Sequence, residues 1–310
     1  MELRHVFTRG LDYPSIIGAS ERIAWTVDSV FDGRGFDSSR SIVPSSWVGA
    51  DQLGFLSARD QLELNHCRAF SYVHLLGNFE EFAPVHLADV VQQNRHADRA
   101  QLRALMRFAD EELKHQQLFL RAEHVLEESC GHAFGRYFDP DKTTVAELTT
   151  AIFEHWALPI FVMVLALEWG TQRHYVESVR DLSSGNVDPL YVDLLKAHWI
   201  EEAQHIKCDR LEIARLASQI DATELERVFD DVLSLGALVD AAFAGQAERE
   251  IDTLEAVRGR SFTDAERLTL RATLHRSLSG ILAGVGLGHP SFAQVARELS
   301  PAGAAKLGIG

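Results

Sequence analysis

The chain has 310 residues, 46% of them hydrophobic, and a formal net charge of −15 at pH 7. A chain of this length can bury a large core, and neither a Pro/Gly/Ser-rich linker nor a compositional break divides it, so one helical domain over 1–310 is expected. The negative charge argues against nucleic-acid backbones and anionic membrane surfaces as partners.

Residues up to about Gly54 read as irregular, punctuated by Gly33, Gly35, Pro44, Ser45 and Ser46, with Trp25 and Trp47 as packing residues. They lack the basic-then-apolar pattern of a signal peptide. Helices are then predicted over 57–92, 97–130, 143–181 and 188–219. In the first, Leu62, Ala69, Val73, Leu76 and Leu87 fall within about 40° of Glu80 on a helical wheel, whereas Glu81 points about a quarter-turn away. Glu80 is therefore the inward acid. The second helix carries Glu111-Glu112-Leu-Lys-His115. In the third, the apolar run from Trp156 to Leu167 is too short to span a bilayer and leads directly into Glu168, an acid without a rival before Glu177. Pro159 lies inside this predicted helix and is expected to kink it by removing a backbone donor. The fourth carries His198 and Glu201-Glu202-Ala-Gln-His205. Further on, Asp221-Ala-Thr-Glu224 and Thr263-Asp-Ala-Glu266 resemble capping boxes that start helices over 222–258 and 264–284, and a short helix follows near 290–299.

Glu-x-x-His carries little weight singly in a chain with 14 histidines, and a third copy, Glu63-Leu-Asn-His66, stands about 21 Å of helix away from Glu80, too far to join it. The other two copies are distinguished by context. Each has an extra Glu in front, and each follows a lone apolar-face Glu, 32 residues after Glu80 and 34 after Glu168. A helix running out from each lone acid, a polar break and a helix back would return to the same level at 1.5 Å per residue. Residues three apart share a helix face, so Glu112 with His115 and Glu202 with His205 each aim a carboxylate and an imidazole at a common point. One Glu from each of two helices and Glu-x-x-His from the other two is the ligand set of a dinuclear carboxylate site in a four-helix bundle. Glu111 and Glu201 are placed to accept hydrogen bonds from the outer nitrogens of the ligand imidazoles. His198, four residues before Glu202, extends the inward stripe and is geometrically able to be a seventh ligand.

With its His-x-x-x-Glu-x-x-His stripe, the chain resembles, over about residues 60–210, the diiron N-oxygenases typified by p-aminobenzoate N-oxygenase. The resemblance implies a ferritin-like four-helix bundle, here at about 57–219, to which the helices read from the capping boxes, over about 222–299, are accessory. It also implies Glu80, Glu112, His115, Glu168, His198, Glu202 and His205 as metal ligands, and oxidation of an amine nitrogen in a biosynthetic pathway.

Hard carboxylate oxygens with imidazole nitrogens suit two iron ions, with manganese as the alternative, and dioxygen as co-substrate. The expected enzyme is a diiron monooxygenase acting on a small molecule. A carbon hydroxylase or desaturase is the alternative reading. The tyrosine expected one turn after the first Glu-x-x-His in a radical-generating reductase subunit is replaced by Phe119, and the long flanks argue against ferritin-like iron storage. No flavin or iron–sulfur motif is present, so a separate reductase, a ferredoxin or peroxide must supply electrons. Arg173, near Glu168, is the candidate anchor for a substrate carboxylate. Cys67, Cys130 and Cys208 are odd in number and lack Cys-x-x-Cys spacing, which suggests reduced thiols and a cytoplasmic protein. A homodimer is the default by frequency.

Overall fold

A computed structural model of the chain describes residues 6–96, 98–138, 150, 152, 154–180, 187–280 and 285–310. They form an all-helical structure without strands. In chain order the first helices are α1 (Tyr13–Ser20), α2 (Val27–Phe31), α3 (Ala58–Glu81), α4 (Ala83–Gln93), α5 (Arg99–Cys130), α6 (Gly135–Phe138), α7 (Ala157–Tyr175) and α8 (Pro189–Ala217), of which α3, α5, α7 and α8 enclose the centre. α3 packs along α5 and α7 along α8, and α5 also meets α8. Tyr191 of α8 donates its hydroxyl to the Ala69 carbonyl of α3 at 3.1 Å, tying the two pairs together. No helix among the described residues is long and apolar enough to cross a membrane.

Local chemistry sets the boundaries. Ser57 and Asp60 close a reciprocal capping box at the start of α3. The predicted single helix over 57–92 is broken at Phe82 into α3 and α4 (Ala83–Gln93). Pro84 is the cause, because it lacks an N–H and its ring crowds the carbonyl one turn earlier. Glu80 therefore stands in the last turn of α3. α5 starts on Asp98 and ends on Gly131 at φ 71°. α7 begins at Ala157, so Pro159 falls in its first turn, where backbone N–H groups have no helical acceptor in any case. The expected kink is thus not needed. Part of the predicted stretch 143–156 lies outside the described residues, and α7 ends in a wider turn over Val176–Arg180.

The N-terminal segment is more ordered than its composition suggests. Asp12 caps α1 (Tyr13–Ser20), and Thr26 with Ser29 closes a capping box on α2 (Val27–Phe31). α1 lies across α5 and α8. The C-terminal helices follow the sequence closely: α9 (Ala222–Arg258) and α10 (Asp264–Ser279) open on their predicted capping boxes, and α11 covers Pro290–Leu299. A last helix, α12 (Pro301–Lys306), was not foreseen, and its Gly303 permits an approach to the Phe229 ring that any Cβ would overlap. The short α6 (Gly135–Phe138) follows α5. Arg68 on α3 and Glu250 on α9 form an ion pair at 2.9 Å with both side chains essentially inaccessible, joining the C-terminal helices to the bundle.

Candidate metal centre

The helices bring six of the seven predicted ligands into two overlapping groups. Glu80, His115, His198 and Glu202 form one and Glu112, His115, Glu202 and His205 the other, and within each group one ligand atom per residue lies within 4.8 Å of every other. His115 and Glu202 belong to both. His198 Nε2 stands 2.8 Å from Glu80 Oε1 and 3.3 Å from Glu202 Oε1. His205 Nδ1 is 2.9 Å from Glu112 Oε1 and 3.1 Å from Glu202 Oε1. His115 Nδ1 faces Glu202 at 3.3 Å, Glu80 at 3.5 Å and Glu112 at 3.8 Å.

Glu168 is placed differently. It belongs to neither compact group, but it lines the same cavity of about 70 Å³ as Glu80, Glu112, His198 and Glu202. Its carboxyl faces Asp209, and burial first, then the charges of Asp209 and Glu202, raise it well above the usual carboxylate range. Asp209 is fully buried, and burial pushes it up as well. Burial thus disfavours the charged form of both acids.

Sequence reasoning missed Asp209. It lies one turn past His205, so the stripe His198, Glu202, His205, Asp209 keeps the spacing 4, 3, 4 on one face, and that periodicity was the available signal. Glu81 is exposed and outside both groups. His66 is buried and bonds its Nε2 to the Arg40 carbonyl at 3.0 Å, away from the cluster. Arg173 is turned to Glu177 at 2.6 Å, so the suggested carboxylate anchor is already paired.

The outer nitrogens of two ligand imidazoles are fixed by the acids that precede the ligand acids, in a crossed arrangement. His115 Nε2 of α5 meets Glu201 of α8 at 3.0 Å, and His205 Nε2 of α8 meets Glu111 of α5 at 3.1 Å. Each Glu-Glu-x-x-His copy thereby orients the histidine of the other, which fixes ring and tautomer. Both acids are held in turn. Lys114 pairs with Glu201, while Ser20 of α1 and Arg107 engage Glu111. Lys114 also lies 4.0 Å over the Trp25 ring, which is nearly parallel to His115. Phe108 stacks on His205 at 3.9 Å. The N-terminal segment thus acts as the outer wall of the cluster.

Glu80 Oε2, Glu112 Oε2, Glu168 Oε2 and His115 Nδ1 are buried without a hydrogen-bond partner. Such groups cost free energy unless something else satisfies them. In the metal-free protein protons on the imidazoles do part of this. Burial alone would lower His198, but Glu202 and Glu80 raise it to about 9, and the neighbouring carboxylates likewise hold His115 and His205 above the ordinary value. Glu112 and Glu202 are held below theirs by the same contacts, against burial. A cluster of hard oxygens and imidazole nitrogens with inward atoms unsatisfied fits divalent metal ions. The cation would take the place of those protons.

The structure therefore defines the class: an all-helical protein with a buried Glu/His cluster able to hold metal. Comparison with protein-family models, curated proteins and solved structures gave no match, so the resemblance to diiron N-oxygenases rests on the sequence motifs alone.

Proposed function

We propose that the chain is a non-haem diiron oxygenase on a ferritin-like bundle, which uses dioxygen to oxidise an amine nitrogen of a small organic substrate. The observation that carries this reading is the pair of overlapping ligand groups: the two oxygens of Glu202 could serve two ions, His198 with Glu80 and His205 with Glu112 stand on opposite sides of it, and the one inward nitrogen of His115 would serve either. Glu80, Glu112, Glu168, His115, His198, Glu202 and His205 would hold the pair. Bound there, two iron ions would supply the electrons and the Lewis acidity needed to activate dioxygen.

The protein's own residues supply orientation and dryness. Glu111 and Glu201 fix the ring planes of His205 and His115. Leu75, Leu76, Phe79, Val164 and Leu167 wall the cavity beside the cluster and keep water away from it. Asp209 is buried beside Glu168, so a cation held by Glu168 would offset charge that burial disfavours at both acids. Electrons must come from a separate reductase, a ferredoxin or peroxide.

The experiment is single-turnover oxidation of an arylamine by iron(II)-loaded protein and dioxygen, with bound metal counted by elemental analysis and products read by mass spectrometry. The expected result is a pair of irons per chain and a hydroxylamine, the product that one dioxygen and the two electrons of a pair of iron(II) ions can give. Oxygen inserted only at carbon would establish the hydroxylase reading, and metal uptake without any organic product would return the chain to storage proteins.

A further inference from the structure

A cavity of about 360 Å³ is separate from the metal-side cavity. It lies between the C-terminal end of α3, the first half of α7 and the middle of α9, and its lining is predominantly apolar. Its volume is at the lower end of the range for drug-sized ligands. Leu75, Phe79, Phe82, Val164 and Leu167 line both cavities, so their partition is built of side chains. On that partition Phe79 meets Phe243 edge to face, with ring centroids 5.7 Å apart. Such a contact can open by rotamer changes without moving a helix.

One cation lines this apolar space. Arg249 is half-buried, and among the described residues no carboxylate pairs with it; its single contact is Nη1 to Gln246 Oε1 at 3.4 Å. Burial lowers its proton affinity. Gln246 is itself committed to the Ser71 carbonyl at 2.9 Å, and Glu81, the acid in the lining, is exposed. A guanidinium held at an apolar cavity without a paired carboxylate has five donors arranged for a planar carboxylate.

We propose that this cavity binds the substrate body as an amphipathic acid, its carboxylate on Arg249 and its far end directed through the Phe79–Phe243 partition toward the ligand cluster. The orientation rests on the functional reading above, whereas the binding does not. Apolar burial supplies affinity and Arg249 supplies polarity, so a straight apolar chain enters with one end fixed. The metal-side space, about 70 Å³, then receives only the reacting end of the molecule.

Binding is tested on the full-length, metal-free protein by displacement of an environment-sensitive fluorophore, comparing decanoate with decanol. Decanoate should bind about ten- to a hundredfold more tightly, the usual range for a hydrogen bond to a charged group. Arg249→Met should bring decanoate down to decanol, Arg249→Lys should restore part of the difference, and Ala242→Phe should weaken both ligands by filling the cavity. Equal affinity of acid and alcohol, or an Arg249→Met variant that keeps its preference with a normal circular dichroism spectrum, would overturn the site. Orientation is tested separately with manganese(II)-loaded protein. The terminal methyl protons of decanoate should relax faster than those beside the carboxylate, and the opposite order would overturn the direction proposed. If acids bind as expected and no loaded protein oxidises any substrate, the oxygenase reading fails while the cavity assignment stands.

Discussion

Removing metal should lower the melting temperature by about 8 °C near neutral pH, and the gap should widen toward pH 9. Occupying one site at a hundredfold over its dissociation constant stabilises the native state by about 2.7 kcal/mol, so the two ligand groups together give about 5.5 kcal/mol. For 310 residues the unfolding entropy is about 0.65 kcal/mol per kelvin, which converts that figure to about 8 °C. The pH dependence follows from the imidazoles. His198 is raised from 6.5 to about 9 in the folded, metal-free protein, worth on the order of 3 kcal/mol. A folded value above the unfolded one gives stability that is full below 6.5 and lost as pH rises through 9. The chelated protein should therefore melt lower at pH 9 than at pH 7. The loaded protein should not, because metal has replaced those protons. Calorimetry of chelated and reloaded protein at both pH values, with loading verified by elemental analysis, is the assay. Equal melting of the two forms, or a gap that narrows with rising pH, would refute the reasoning.

Glu201→Gln should weaken metal binding by about ten- to a hundredfold, because His115 loses its anionic partner while the ligand atoms remain; chelator competition measures it, and unchanged affinity would leave the crossed bonds without influence on the metals. Arg68→Met should cost about 3–5 kcal/mol in urea unfolding by leaving Glu250 buried and unpaired, and Arg68→Met with Glu250→Leu should recover most of it. His86, lowered to about 4 chiefly by burial, gives stability that is present above 6.5 and lost as pH falls toward 4. His86→Leu should therefore remove about 2 kcal/mol of the destabilisation seen between pH 7 and pH 5, and identical acid sensitivity in parent and variant would contradict the neutral, buried imidazole.

Helix starts and stops were legible because they are local. Asp221 with Glu224, Thr263 with Glu266, and Pro290 fix ends by chemistry within four residues, and the predicted starts of α9, α10 and α11 match the structure. The errors arise where two local rules compete. The wheel that placed Leu87 on the face of Glu80 carried the first helix through Pro84, although a proline one turn in reads equally well as a new start. At Pro159 a helix starting at 143 requires a kink, whereas one starting at Ala157 has the proline in its first turn and requires none. α1 and α2 were missed because helices of 8 and 5 residues show too little periodicity to separate from a turn-rich background, and their order comes from packing on α5 and α8.

The site divides along the same line. Ligands on one helix are related by a fixed angle per residue, so Glu112 with His115, and His198 with Glu202 and His205, were readable from spacing. The distance from Glu168 to the others depends on how α7 leans on α8, which no spacing encodes, and there the structure puts an acid beside Asp209 instead of inside a compact ligand group. The crossed bonds show what does carry across helices. α5 and α8 bear the same five-residue pattern, and stepping back one residue from the ligand acid turns about 100° around the helix, toward the neighbour. If the two copies face each other at one level, the first Glu of each must meet the histidine of the other. His115 with Glu201 and His205 with Glu111 satisfy that condition together, at 3.0 and 3.1 Å, which a chance pair of Glu-x-x-His sequences on solvated faces has no reason to do.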